Sequence, residues 1–146
     1  MDEPHYPYEK PITEIRYDFK SISGEKEVKK RVFFTTSDYQ TIYNLALVDV
    51  LEDGSISDMS ESRNKDMNTI LATVIRVIEH FFEANPINLI IFRGSDERRQ
   101  RLYRLLIARE LHKIQRKFQV YGVFNNEESE IFQPNVIYEY FVIVKN

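Results

Sequence analysis

From about Thr13 to Ser23, Ile15, Tyr17 and Phe19 alternate with Arg16, Asp18 and Lys20, the signature of a half-buried strand. Gly24-Glu25 makes a turn. Val28, Lys30, Val32 and Phe34 then alternate with Lys29, Arg31, Phe33 and Thr35, which predicts a second strand hairpin-paired with the first. Thr41 to Leu51 is almost continuously apolar apart from Asn44 and Asp49, as in a central strand covered on both faces. Glu52 to Lys65 is polar, contains Asp53-Gly54, and reads as a loop with Asn64 or Asp66 as the next N-cap.

Met67, Ile70, Leu71, Val74, Val77, Ile78 and Phe81 recur at helical spacing until Asn85-Pro86 stops the run. Asn88 to Phe92 is a short buried strand, and Arg93 to Asp96 a turn. A second helix follows, with Leu102, Tyr103, Leu106, Ile107, Leu111, Ile114 and Phe118 as its apolar stripe. Gln119 to Phe124 is a strand, Asn125 to Pro134 a polar loop, and Val136 to Val144 the final strand. The order β-β-β-α-β-α-β-β predicts an α+β fold, a mixed, mainly antiparallel sheet with two helices packed on it. The first helix is the more apolar and is expected to be the better buried. Residues 1–12 carry Pro4, Pro7 and Pro11 and are expected to form an extended arm; residues 13–146 form a single domain. The arm's tyrosines would pack on the body or reach a neighbouring subunit, so a homodimer is one expectation.

Composition narrows the chemistry. With 146 residues and 42% hydrophobic content the chain can bury a core without staples, and it has no cysteine, which removes disulfides, thiolate metal sites and cysteine nucleophiles. No run reaches the roughly 18–20 apolar residues of a membrane span, and Met1 to Pro11 lacks a basic-then-apolar leader, so a cytoplasmic protein is expected.

Charge is distributed unevenly. Between Arg93 and Lys117 nine cations stand against Asp96, Glu97 and Glu110, a net of +6, so the remainder must carry −9 to reach the total of −3. Several of these arginines fall in the first turns of the second helix, where the dipole disfavours cations and free N–H groups favour an anion. Two readings stand. The arginines are either a solvated helix face or an anion site in which Ser95, Arg98, Arg99 and Arg101 supply hydrogen bonds and charge. In the second, Tyr103 walls the site and Arg104 supports it.

Other candidates carry less. Asn44 and Asp49 interrupt an apolar strand and need partners if buried, Asp49 finding one in a helix-two arginine or marking the exposed strand end. Asn64 and Asp66 read as caps, since they lack calcium-loop spacing. His5, His80 and His112 have no paired spacing, so no metal site is expected. No nucleophile elbow, phosphate loop or dinucleotide fingerprint is present. Tyr138 and Tyr140 share one face of the predicted last strand; such a face is sometimes a stacking platform for nucleic-acid bases and more often packs a helix or a second subunit.

Two resemblances add to this. Tyr43-Asn44-Leu45-Ala46-Leu47 with Asp49, then Asn64 and Asp66, Leu71-Ala72-Thr73-Val74, and Gly94-Ser95 with Arg99-Gln100-Arg101-Leu102-Tyr103-Arg104 together resemble an uncharacterised family of small bacterial domains, mainly from Bacteroidetes. That family implies no activity. The element order is also similar to that of the GNAT acetyltransferases. Arg63 to Asn68 stands at the position of their pyrophosphate loop Q/R-x-x-G-x-G/A, with Asp66 and Asn68 in place of glycines, and Asp96 and Tyr103 match their Asn–Tyr spacing. This resemblance implies coenzyme A as cofactor and Tyr103 as general acid of an N-acyltransferase. The sequence itself favours a non-enzymatic binding or regulatory domain without cofactor, with an anionic ligand at the start of helix two. A protein-interaction component of a bacterial operon, such as a toxin–antitoxin pair, is the third expectation.

Overall fold

The computed structural model describes residues 14–23, 26–58 and 67–146. The arm at 1–12, the Gly24-Glu25 turn and the caps expected at Asn64 and Asp66 lie outside them. The elements are β1 (Glu14–Ser23), β2 (Lys26–Thr36), β3 (Ile42–Val50), β4 (Ile56–Asp58), α1 (Met67–Ala84), β5 (Leu89–Phe92), α2 (Glu97–Arg109), α3 (Leu111–Gln115), β6 (Phe118–Val123), β7 (Ser129–Ile131) and β8 (Tyr140–Lys145). They build one mixed sheet in the order β1-β2-β3-β5-β8-β6-β7, with β4 alongside the end of β3. The β3–β5 pair is parallel and the other pairs are antiparallel.

The parallel pair follows from what joins it. A strand, an 18-residue helix and a strand make a crossover that returns the chain in the same direction. α1 lies on the face that presents Val32, Phe34 and Leu45, and Phe34 stacks on Phe81 at 4.3 Å between ring centres. Ile70, Val74, Val77, Ile78, Phe81 and Phe82 form its buried stripe. The helix stops where Asn85 turns back, its backbone N–H and its side-chain amide both bonding the Phe81 carbonyl, with Pro86 next. α2 lies on the same face, with Tyr103 against Phe92 at 4.6 Å and Leu106 and Ile107 in the core with Ile70 and Val74.

The structure departs from the alternation pattern in four places. β4 stands inside the expected loop after Asp53-Gly54. Asp53 accepts from the Ser55 N–H, and Gly54 takes φ 84, so the chain turns here and closes a hairpin whose second strand is only three residues long. The expected single second helix is divided at Glu110, where φ −102 and ψ 15 leave the helical region; the Glu110 carboxylate pairs with Arg109 and Lys113. Phe118 therefore opens β6 instead of closing a helix. β7 occupies part of the expected polar loop, its residues being Ser129, Glu130 and Ile131 at the sheet's edge, where one face is wet. β8 begins at Tyr140, not Val136. Asn135 takes φ 67, and the following segment turns the Tyr138 ring inward, where Phe124, Phe132 and Phe141 surround it.

Candidate functional site

β5 ends at Phe92 in the sheet and the chain passes through Arg93, Gly94 and Ser95 into α2. Two interactions fix this passage. Asp96 caps α2, accepting from the Arg99 N–H at 2.7 Å and from its guanidinium at 2.6 Å. The Arg99 N–H, then burial in the opposing direction, then the Arg99 guanidinium set a net lowering of the Asp96 pKa. Gly94 donates to the Gln100 side-chain oxygen at 2.6 Å, and the Gln100 amide reaches the Tyr138 carbonyl at 3.2 Å. A Cβ on Gly94 would overlap the backbone of Arg99 and Gln100, so only glycine lets the turn lie against α2.

A solvent-open concavity of about 720 Å³ lies where this turn meets the segment before β8. Arg93, Ser95, Arg101 and Arg104 line it on one side and Ile137, Tyr138 and Glu139 on the other, with Asp96 and Glu97 at its rim. Arg93 is held by Glu139 at 3.8 Å and by the Tyr140 ring at 5.2 Å, while Asp96 is engaged by Arg99. Among the described residues Arg101, Arg104 and Glu97 have no ion-pair partner. Two guanidinium groups and one carboxylate therefore remain, beside the Ser95 hydroxyl.

Tyr138 closes the inner wall. It is 2% exposed, its hydroxyl donates to Glu130 at 2.6 Å and accepts from the Gln133 N–H at 2.9 Å, and burial with the Glu130 carboxylate pushes its pKa up to about 12. A phenol so placed is a fixed neutral wall at physiological pH, and the pairing of Tyr138 with Tyr140 as an exposed stacking face is corrected: one ring is interior. Tyr140 is half-buried and donates to Glu127 at 2.8 Å, a bond that raises its own pKa, with burial adding to it.

The other candidates are distributed as follows. Arg98 is exposed and does not line the concavity, and Arg99 is spent on the cap. Tyr103 is not a wall of the concavity either. It is 6% exposed on the opposite, apolar side of α2, against Phe92, as its place in the apolar stripe dictates. Asn44 is exposed on the helix-free face of β3, so it needs no buried partner. Asp49 does not mark an exposed strand end. It is 6% exposed and pairs across the sheet with Lys30, 3% exposed, at 2.7 Å. Lys30 stands on the apolar side of the β2 alternation, a sign in the sequence that it too needs a buried partner, though not of which one. Gln100, Ile137 and Glu139 carried no such signal, because the loop that brings residues 137–139 to α2 is far away in the chain.

The lining residues include no histidine or cysteine. Among the described residues no three His, Asp or Glu side chains are placed to hold a metal, and no helix is long and apolar enough to cross a membrane. Guanidinium groups so placed can hold an anion through bidentate contacts. The model of a family of unknown function, DUF6934, matches residues 2–146. No curated protein and no solved structure matches the chain.

Proposed function

We propose that this chain, which belongs to DUF6934, a family of unknown function, is a binding domain that takes an anionic group, phosphate or carboxylate, into the concavity between β5 and α2. The observation that carries this reading is the pair Arg101 and Arg104. Both line one cavity and neither has an acidic partner among the described residues, although the chain outside this region is strongly acidic. The Ser95 hydroxyl stands beside them as a neutral donor. A charge-assisted hydrogen bond contributes about 1.5–3 kcal/mol, so two arginines support a dissociation constant of roughly millimolar order for a simple anion.

Thermal unfolding with tripolyphosphate, at matched ionic strength, tests the reading. At ~10 times the dissociation constant the ligand adds about 1.4 kcal/mol, a rise of about 3–5 °C for a domain of this size. The Arg101→Ala/Arg104→Ala protein should keep its own melting temperature and lose the ligand-dependent rise. An equal rise in both proteins would place the anion elsewhere.

A second reading, an acyl-CoA-dependent transferase, is favoured by one observation. Apart from the three-residue strands β4 and β7 and the break at Glu110, the element order is the β-β-β-α-β-α-β-β expected from the acetyltransferase resemblance. Stabilisation by coenzyme A, absent with tripolyphosphate, would support it over simple anion binding.

A further inference from the structure

The cations do not stop at the concavity. Arg98, Arg101, Leu105, Arg109, His112 and Arg116 recur at intervals of three and four residues, and every one of them is exposed. They form a single outward stripe along α2 and α3, directly opposite Tyr103, Ile107 and Ile114 in the core. At its far end a second concavity, about 220 Å³, lies between α3 and α1 and is lined by Arg76, Lys113, Arg116 and Lys117 over Ala72 and Ile75. Lys117 is paired with Glu79 and Lys113 with Glu110, while Arg76 and Arg116 have no ion-pair partner among the described residues. Each end of one helical face thus presents a hollow walled by two unpaired arginines.

We infer that this face binds the phosphodiester backbone of a nucleic acid, the Arg101–Arg104 hollow taking one phosphate and the Arg76–Arg116 hollow another. The inference rests on the anion-binding reading of the first hollow and names its ligand. Three features favour a polyphosphate strand over a small anion or an acidic protein. Arg101 and Arg116 are fifteen positions apart, on either side of the break at Glu110, so a chain of phosphates can reach both hollows where a single small anion cannot. Between Arg98 and Arg116 arginine outnumbers lysine six to one, and its planar fork suits phosphate oxygens. The acids beside the stripe are few: Asp96 and Glu97 stand at its start, and Glu110 is engaged with Arg109 and Lys113. Leu105, 51% exposed at mid-stripe, offers an apolar contact for a sugar. None of these side chains approaches a pattern for reading bases, so the binding is to backbone and not to sequence.

Fluorescence anisotropy with a labelled 20-nucleotide single-stranded RNA and a 20-base-pair DNA duplex, from about 50 to 200 mM salt, tests this. Affinity for at least one of them should fall steeply with salt, and the two probes show which backbone geometry the face fits. Arg76→Glu/Arg116→Glu should weaken that binding at least tenfold and lower the salt slope by roughly 0.7–0.9, the share of the one phosphate contact that is lost. The same variant should keep its tripolyphosphate-dependent melting shift, because the first hollow is untouched. No binding of either probe at 50 mM salt, wild-type affinity in the variant, or equal binding of poly-glutamate would each overturn the inference. Nucleic-acid binding without a tripolyphosphate shift would leave the extended surface standing and sink the small-anion site.

Discussion

Replacing Tyr138 with Phe removes one oxygen and leaves the ring, which makes it a clean probe of the wall between the concavity and the core. Two groups lose a partner: the Gln133 N–H, whose acceptor the hydroxyl is, and the Glu130 carboxylate, to which it donates. Leaving such groups unsatisfied costs about 1–3 kcal/mol at neutral pH. The pH dependence is more diagnostic. Burial, with Glu130, raises the phenol from its ordinary value of 10.0 to about 12 in the folded chain. A raised pKa means that the folded state holds a proton which the unfolded state releases first. This contribution is therefore complete below pH 10 and is lost as pH climbs towards 12, amounting to about 2 kcal/mol by pH 11.5. Tyr17 and Tyr140 are also raised and will destabilise both proteins in alkali, so the difference between them isolates Tyr138. Urea unfolding followed by circular dichroism from pH 7 to 11.5 should show the wild-type advantage shrinking above pH 10 and closing near pH 11.5. A constant difference across that range would refute the assigned environment.

Asp49→Ala strands the Lys30 ammonium in the sheet and should cost about 3–5 kcal/mol in urea unfolding, most of it restored in Lys30→Met/Asp49→Leu; a double variant as unstable as the single one would contradict the pairing. Gly94→Ala forces a methyl group into the first turn of α2 and should lower stability by about 1–3 kcal/mol while weakening tripolyphosphate binding, whereas an unchanged melting temperature would mean that the turn has room. Glu97→Gln removes the unpaired carboxylate at the rim and should tighten tripolyphosphate binding a few-fold by calorimetry, with the largest gain at low salt; weaker binding would place Glu97 among the ligand's contacts.

The α+β class, the β1–β2 hairpin and both long helices were legible because each rests on a local period. Val32 and Phe34 face the core as their alternation requires, and Phe81 follows Val74 and Val77 on one helical stripe. Short elements escaped: three residues of β4 or β7 cannot display a period. The arginine excess in α2 was also legible, since charge is a count. Its division into Arg99, spent on a cap, and Arg101 and Arg104, aimed at a hollow, was not, because that depends on where Asp96 sits and on a loop some forty residues away. Asp49 shows the same limit. The residue announced a buried partner, but only the strand register Lys30↔Asp49 names it.

The sheet order carries a consequence for how the molecule is made. β8 stands between β5 and β6, yet it is the last strand in chain order. While the chain grows from its N-terminus, β5 must wait with one edge open, and the pair β6–β7 has no strand through which to join the rest of the sheet. Both edges are closed together, by six residues, Tyr140 to Lys145. A nascent or truncated chain lacking them exposes two apolar strand edges to any other strand nearby. Loss of this short segment would turn a foldable domain into an aggregating one, with every residue of the arginine face still in place.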